Sequence, residues 1–226
     1  MLTSQSLPVG VITLLAAFAT TAPINAQDPT FTAGPDVVSL EDVGNFTATA
    51  WAQDVDLQGG TNAFFDVIVD DPSLFGLSPA LDVNSGTLTF TSAADANGVV
   101  NMTVQLVTDQ GQSAVSSVSV TLLAVNDEPS FNAGVPINAS EDSGTSIVAG
   151  WATALSAGPP DEAGQAMSFT VGTDNPGLFS VPPSVDPVSG DLSFTVAPDQ
   201  HGTANLIVVL TDNGGVANGG DDTSQP

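Results

Sequence analysis

The chain has 226 residues, 42% of them hydrophobic, enough for one large domain or two ordinary ones with cores of their own. Twenty-five acidic residues stand against no Lys and no Arg, and the resulting charge of −25 excludes binding to nucleic-acid phosphates or to an anionic membrane surface. With no Lys, Arg, Cys or Tyr and with His201 as the one histidine, the chain also lacks a Schiff-base lysine, a thiol nucleophile, an arginine clamp and a thiolate metal site. What it has in quantity is Asp, Gly and Pro, a mixture that favours turns and oxygen-donor sites over helices.

Residues 9–19 form an apolar run followed by small and polar residues ending in Ala26, which reads as a signal peptide over 1–26 and implies export. The run is too short to span a bilayer, and the usual basic residues before it are missing. From residue 27 onward the sequence falls into two copies. Phe31-Thr32-Ala33-Gly34 returns as Phe131-Asn132-Ala133-Gly134, Glu41-Asp42 as Glu141-Asp142 and Trp51-Ala52 as Trp151-Ala152, all at an offset of 100. Further on the offset is 104: Gly86-Thr87-Leu88-Thr89-Phe90 matches Gly190-Asp191-Leu192-Ser193-Phe194, and Asp95 with Gly98 matches Asp199 with Gly202. The extra residues fall in 156–165, which reads as a longer loop.

Within each copy apolar residues alternate over short runs. Met102, Val104 and Leu106 alternate with Thr103 and Gln105, and Val118, Val120 and Leu122 with Ser119 and Thr121. Period two with turn residues between the runs predicts an all-β chain of two tandem β-sandwiches, one over 27–125 and one over 126–226. Trp51, Phe64 and Phe90 are the expected core of the first, and Trp151, Phe169 and Phe194 of the second. Between them, Val125-Asn126-Asp127-Glu128-Pro129 is short and stiffened by proline, which predicts a restricted orientation and an elongated particle. The second copy differs at its end. After Asp212-Asn213-Gly214 it offers only Gly-, Asn- and Asp-rich residues where the first has the alternating run 115–125, so the second sandwich is expected to lack its final strand, and the chain reads as a fragment or truncated product.

The V-N-D-E-P linker, the E-D pair opening each copy, the Ala52-Gln53-Asp54-Val55-Asp56 run and the T-D-x-G runs beginning at Thr108 and Thr211 together resemble bacterial cadherin-like tandem repeats, of the Ig-like β-sandwich class. The resemblance covers nearly all of 27–226 and implies a secreted or surface protein with Ca²⁺ between successive repeats. Carried over residue by residue, it gives Glu41, Asn126 and Asp127 as metal ligands from the first side of the junction, with Asp161 and Asp212 from the second. Several positions depart from the cadherin pattern: Ala124 stands where the linker's first aspartate belongs, Glu128 replaces its last asparagine, and Pro159-Pro160-Asp161-Glu162 stands in place of D-x-D. One weaker site is expected in place of three bound ions. Ca²⁺ takes six to eight hard oxygens, and loop aspartates supply them; the same aspartates also cap their own turns without a metal.

Asp142-Ser143-Gly144-Thr145 has the D-S-G-T of an aspartic protease, but the matching Asp42-Val43-Gly44-Asn45 breaks the motif in the copy that must supply the second carboxylate. His201 occupies the place of Asn97 and reads as an exposed loop residue. No catalytic residues are assigned. The expected function is an exported structural or adhesive repeat module, stiffened by calcium, whose partners are other cell-surface proteins, glycans or further repeats. A calcium-free spacer and a carbohydrate-binding β-sandwich are the alternatives, and the latter needs an exposed aromatic platform.

Overall fold

A computed structural model describes residues 28–225. The expected signal peptide over 1–26 lies outside the described residues. Among those described, no helix is long and apolar enough to cross a membrane.

The first copy is built from β1 (Thr30–Thr32), β2 (Val37–Leu40), β3 (Asn45–Ala48), β4 (Gln53–Asp56), β5 (Phe64–Val69), β6 (Phe75–Leu81), β7 (Leu88–Ser92), β8 (Gly98–Val107) and β9 (Ser116–Leu123). One sheet runs β2-β9-β8-β5, antiparallel except for the parallel pair of β2 with β9. The opposing layer runs β3-β7-β6, with β1 on β4 beside it. This is the strand arrangement of a cadherin-like, Ig-like sandwich. Alternation places the core as expected: Met102, Val104 and Leu106 are fully buried, and Leu88 and Phe90 meet them from the other sheet.

Phe64 corrects the expected core. It is 54% exposed, and Phe65 takes the buried place, edge-on to Phe31. Under the 104-residue offset Phe169 matches Phe65, not Phe64, and a one-residue slip moves a side chain to the other face of a strand. Trp51 does fill the first core, its indole N–H donating to the Pro35 carbonyl.

The second copy repeats most of this order as β10 (Ser130–Asn132), β11 (Thr145–Val148), β12 (Thr153–Ser156), β13 (Ser168–Thr173), β14 (Phe179–Val185), β15 (Leu192–Val196) and β16 (Leu206–Thr211). Its sheets are β11-β15-β14, β13-β16 and β10-β12. The hairpin turns into β7 and β15 are the same object twice. Gly86 and Gly190 both have positive φ, and a Cβ on either would strike the carbonyl oxygen of Ala52 or Ala152, so only glycine lets the turn dock under the tryptophan segment. A separate apolar cluster forms around Ala152, Val185, Leu192, Phe194 and Val208.

No counterpart of β2 or β9 occurs in the second copy among the described residues. Residues 137–140, which match β2, carry no ladder, because the partner of β2 is β9. The N-terminal half of β8 pairs only with β9, and residues 202–205, its match, are likewise outside any strand. The tail is not idle, however, which modifies the expectation that it fills no sheet position. Thr223 bridges Thr211, while Ser224 donates its N–H to the Leu210 carbonyl and accepts the Leu210 N–H on Oγ. Gln112 and Ser113 make the same three contacts with Val107 and Leu106 in the first copy. The tail therefore matches the return turn that in the first copy precedes β9, with a longer loop over 213–221.

Candidate metal centre at the junction

The junction is assembled from the ends of β2, β8 and β9, the linker, and two loops of the second copy. Glu41 follows β2, where its N–H continues the parallel ladder by donating to the Leu123 carbonyl at 3.0 Å. That register buries its side chain to 1% exposure, and Oε1 accepts the Val125 N–H at 2.7 Å while Oε2 accepts from Asn97 Nδ2 at 3.2 Å. Asn97 also donates to Oδ2 of Asp161 at 2.8 Å, so one amide ties the first copy to the second.

Beside this link lie Asp42, Asp95 and Asp127, each with a carboxylate oxygen within 4.8 Å of those of the other two. Asp42 and Asp95 sit in the left-handed backbone region, with φ of 58° and 54°, and Asp42 Oδ1 accepts the Asp95 N–H at 3.1 Å. Asp and Asn are the side chains that tolerate this region best. Asp142 and Asp199 repeat the same backbone conformation in the second copy.

The second half of the site is more enclosed. A single turn at Pro160–Glu162 carries Glu162 back toward the linker, where its carboxylate accepts the Asp127 N–H at 3.1 and 3.3 Å. Asn126 accepts from Gln165 Nε2 at 2.7 Å and donates Nδ2 both to Asp212 Oδ1 at 3.1 Å and to the Asp221 carbonyl at 2.7 Å. Asp212 is 94% buried by its 6% exposure, yet its Oδ2 has no hydrogen-bond partner, and neither does the buried Oε1 of Gln165. A buried, unpartnered carboxylate oxygen is costly in a chain that holds no Lys or Arg to neutralise it. A cleft of about 390 Å³ opens on the junction, walled by Glu41, Asp42, Asp127 and Asp221 among others. The donor set is all oxygen, from carboxylates, amides and carbonyls, and suits a hard divalent cation.

Of the residues expected from the sequence, Glu41, Asp127 and Asp161 gather in the first half and Asn126 and Asp212 in the second. Asp42, Asp95 and Glu162 were not among them. The E-D pair and the short A-D-A-N run at 94–97 carried the signal for the first two, since each recurs or abuts a repeated glycine. Glu162 sits in the inserted loop, and no spacing rule could place it. Asp54 and Asp56 serve elsewhere: Asp54 accepts from the Thr32 hydroxyl, and Asp56 caps the turn at Gln58.

Burial, and then the carboxylates of Asp42, Asp95, Glu41 and Asp161, raise the Asp127 pKa above its ordinary value near 3.8. Burial likewise raises Glu162 above 4.5, with Asp127, Asp161 and Asp212 adding to it, against the Asp127 N–H, which lowers it. A raised carboxyl pKa means the folded chain holds its proton to higher pH than the unfolded one. That contribution to stability is full below the ordinary range and lost as pH rises through the folded values. Asp70, Asp82, Asp109, Asp174 and Asp186 are shifted the opposite way, held low by hydrogen bonds from Asn101, Ser85, Thr61, Asn205 and the Ser189 backbone. Their contribution is present above 3.8 and lost on acidification. The metal-free chain is therefore expected to lose melting temperature as pH rises through the raised Asp127 and Glu162 values, and Asp127→Asn to flatten that slope. Thermal melts in chelator across this range test it, and a profile that is flat in the parent chain contradicts the junction as described.

No family model matches the chain, and no curated protein matches it. Among solved structures it is similar to the EC1-2 region of human mucin-like protocadherin, at 15% identity over 88% of this chain and 95% of that one, with a TM-score of 0.47. It is also similar to extracellular cadherin domains 3-6 of protocadherin gamma B2, at 20% identity over 89% of this chain and 51% of that one, TM-score 0.43. A third likeness is to SGBP-B of the Bacteroides ovatus mixed-linkage glucan utilization locus, in complex with a mixed-linkage heptasaccharide, at 14% identity over 87% of this chain and 46% of that one, TM-score 0.31. At TM-scores this low the likenesses add nothing to the strand order, which by itself gives the described residues an all-β fold of the cadherin-like, Ig-like β-sandwich kind.

Proposed function

We propose that this chain is an exported, non-enzymatic structural or adhesive module of two sandwich repeats, 27–125 and 126–226, whose junction is stiffened by Ca²⁺. The observation that carries this reading is the buried Asp212 Oδ2 with no partner, beside a linker that brings Asp127 against Asp42 and Asp95. Glu41, Asp42, Asp95, Asp127 and Asp161 would hold a cation on one side of the linker, and Asn126, Glu162 and Asp212 on the other. The bound ion would supply the positive charge that the sequence itself lacks, fixing the angle between repeats so that the module can space or present its partner surfaces. Those partners are other cell-surface proteins or further repeats. Against the carbohydrate-binding alternative, Trp51 is buried and Trp151 half-buried with its indole N–H on the Val135 carbonyl, which leaves no exposed tryptophan platform.

Calorimetric titration of calcium into residues 27–226 tests the reading. Saturable binding is expected in the parent, lost in Asp127→Ala and weakened about tenfold or more in Asp212→Asn, which keeps the side-chain shape but removes a charge. Absence of any calcium heat at millimolar concentration leaves the calcium-free spacer as the correct reading.

A further inference from the structure

Each end of the linker is held by a different repeat. Val125 belongs to the first: its N–H donates to Oε1 of Glu41 at 2.7 Å, and the Glu41 N–H donates to the Leu123 carbonyl at 3.0 Å. Asn126 belongs to the second, its carbonyl accepting the Asp221 N–H at 2.9 Å while its side chain is held by Gln165, Asp212 and the Asp221 carbonyl. The loop over 213–221 closes on it so tightly that a Cβ on Gly220 would lie 2.9 Å from that of Asn126. Hold passes from one repeat to the other across a single planar peptide, so a change of angle between the repeats turns on the torsions of Val125 and Asn126. Away from the linker, Asn97 crosses from the first repeat to the second. It immediately precedes β8, half-buried, and its Nδ2 has two hydrogens, which serve Oε2 of Glu41 at 3.2 Å and Oδ2 of Asp161 at 2.8 Å. Asp161 is a fixed target, because it follows Pro159 and Pro160 in a single turn, with Pro159 φ at −59°.

We propose that Asn97 is a positioning residue of the junction, a latch that selects the angle between the repeats without a metal and holds Glu41 and Asp161 where one cation can use both. The second half of this assignment rests on the calcium reading above, and the first half does not. A linker alone lets two bodies swivel in every direction, whereas a second point of attachment leaves rotation only about the line through both. Asn97 supplies that second point, and a bound cation would remove the remaining freedom. Charge is the reason an amide suits the place. Glu41 and Asp161 come from different repeats of a chain with no Lys or Arg, and two carboxylates brought together with nothing between them repel. A neutral nitrogen with two N–H donors lets both approach it, and hydrogen bonds to ionised acceptors are the stronger kind. Burial adds to this on the first side: Glu41 is 1% exposed, Val125 satisfies one of its oxygens and Asn97 the other.

The chain has no cysteine, so Leu77→Cys and Val188→Cys, at positions 65% and 91% exposed in the first and second repeats, carry a pair of spin labels whose distance distribution reports the angle. In chelator the labelled parent is expected to give one narrow distribution. Asn97→Ala and Asp161→Ala are each expected to broaden it, with the double variant no broader than either alone. Asp161 lies in an exposed turn, so Asp161→Ala is expected to leave the melting of the first repeat unchanged, which separates loss of the latch from loss of the fold. Asp161→Asn keeps an oxygen for Asn97 to donate to and is expected to keep the distribution narrow. Saturating calcium is expected to narrow Asn97→Ala again, while its apparent calcium affinity falls about tenfold, as for an aligned state reduced to about a tenth of the population. A parent that is already broad in chelator, or single variants as narrow as the parent, overturns the latch. Broadening in Asp161→Asn equal to that in Asp161→Ala overturns the hydrogen bond as its means. Distributions that behave as expected in a chain that takes up no calcium support the latch and overturn its role in holding ligands, together with the calcium reading.

Discussion

Calcium at one hundred times its Kd is expected to raise the melting temperature of the chain by about 5–10 °C. Binding only to the folded state at that ratio stabilises it by about 2.7 kcal/mol, and for a chain of this size each kcal/mol moves the midpoint by about 2–4 °C. The oxygens come from both repeats and the linker, so only the folded tandem presents them together: Asp127 and Asn126 from the linker, Asp42 and Asp95 before it, Glu162 and Asp212 after it. Ca²⁺ binding would compete with protons at Asp127 and Glu162, whose raised pKa values oppose ionisation in its absence, so the gain is expected to be larger above those values than below them. Differential scanning calorimetry in calcium and in chelator measures both, and Asp127→Ala is expected to remove most of the difference. Superimposable curves at physiological salt would refute the calcium reading.

Unfolding of the metal-free chain is expected to proceed in two steps, the second repeat first. The two apolar clusters are separate, and the second has only a two-stranded β13-β16 sheet where the first has the four strands β2-β9-β8-β5. Leu210 and Leu106 are both fully buried and occupy matching positions. Leu210→Ala is expected to cost about 2–5 kcal/mol in the first transition alone, and Leu106→Ala a similar amount in the second alone. Amides of β8 are expected to outlast those of β16 in hydrogen exchange, because β8 is paired on both edges and β16 on one. A single transition shifted equally by both substitutions would show that the repeats fold as one unit.

The sequence by itself determined the repeat, the all-β class and the buried face of the runs around 102–106 and 118–122. Alternation is a local property: once Met102, Val104 and Leu106 share one face, burial of that face follows from the apolar area alone. The candidate ligands Glu41, Asn126, Asp127, Asp161 and Asp212 were readable only through the resemblance of the E-D, V-N-D-E-P and T-D-x-G motifs to cadherin-like repeats, since alternation says nothing of which loop oxygens meet.

Tertiary structure decided what depends on distance between segments. It chose Phe65 over Phe64, because a single-residue register separates the core face from solvent and the apolar pair reads alike on either. It brought Asp95 to Asp42 and Asp127 across the closure of β2, β8 and β9, and it returned Glu162 to the linker through an inserted loop without counterpart in the first copy. The loss of a ladder at 137–140 and at 202–205 also lies beyond local reading. A strand exists only where a neighbour supplies the hydrogen bonds, and both segments match residues whose missing partner is β9.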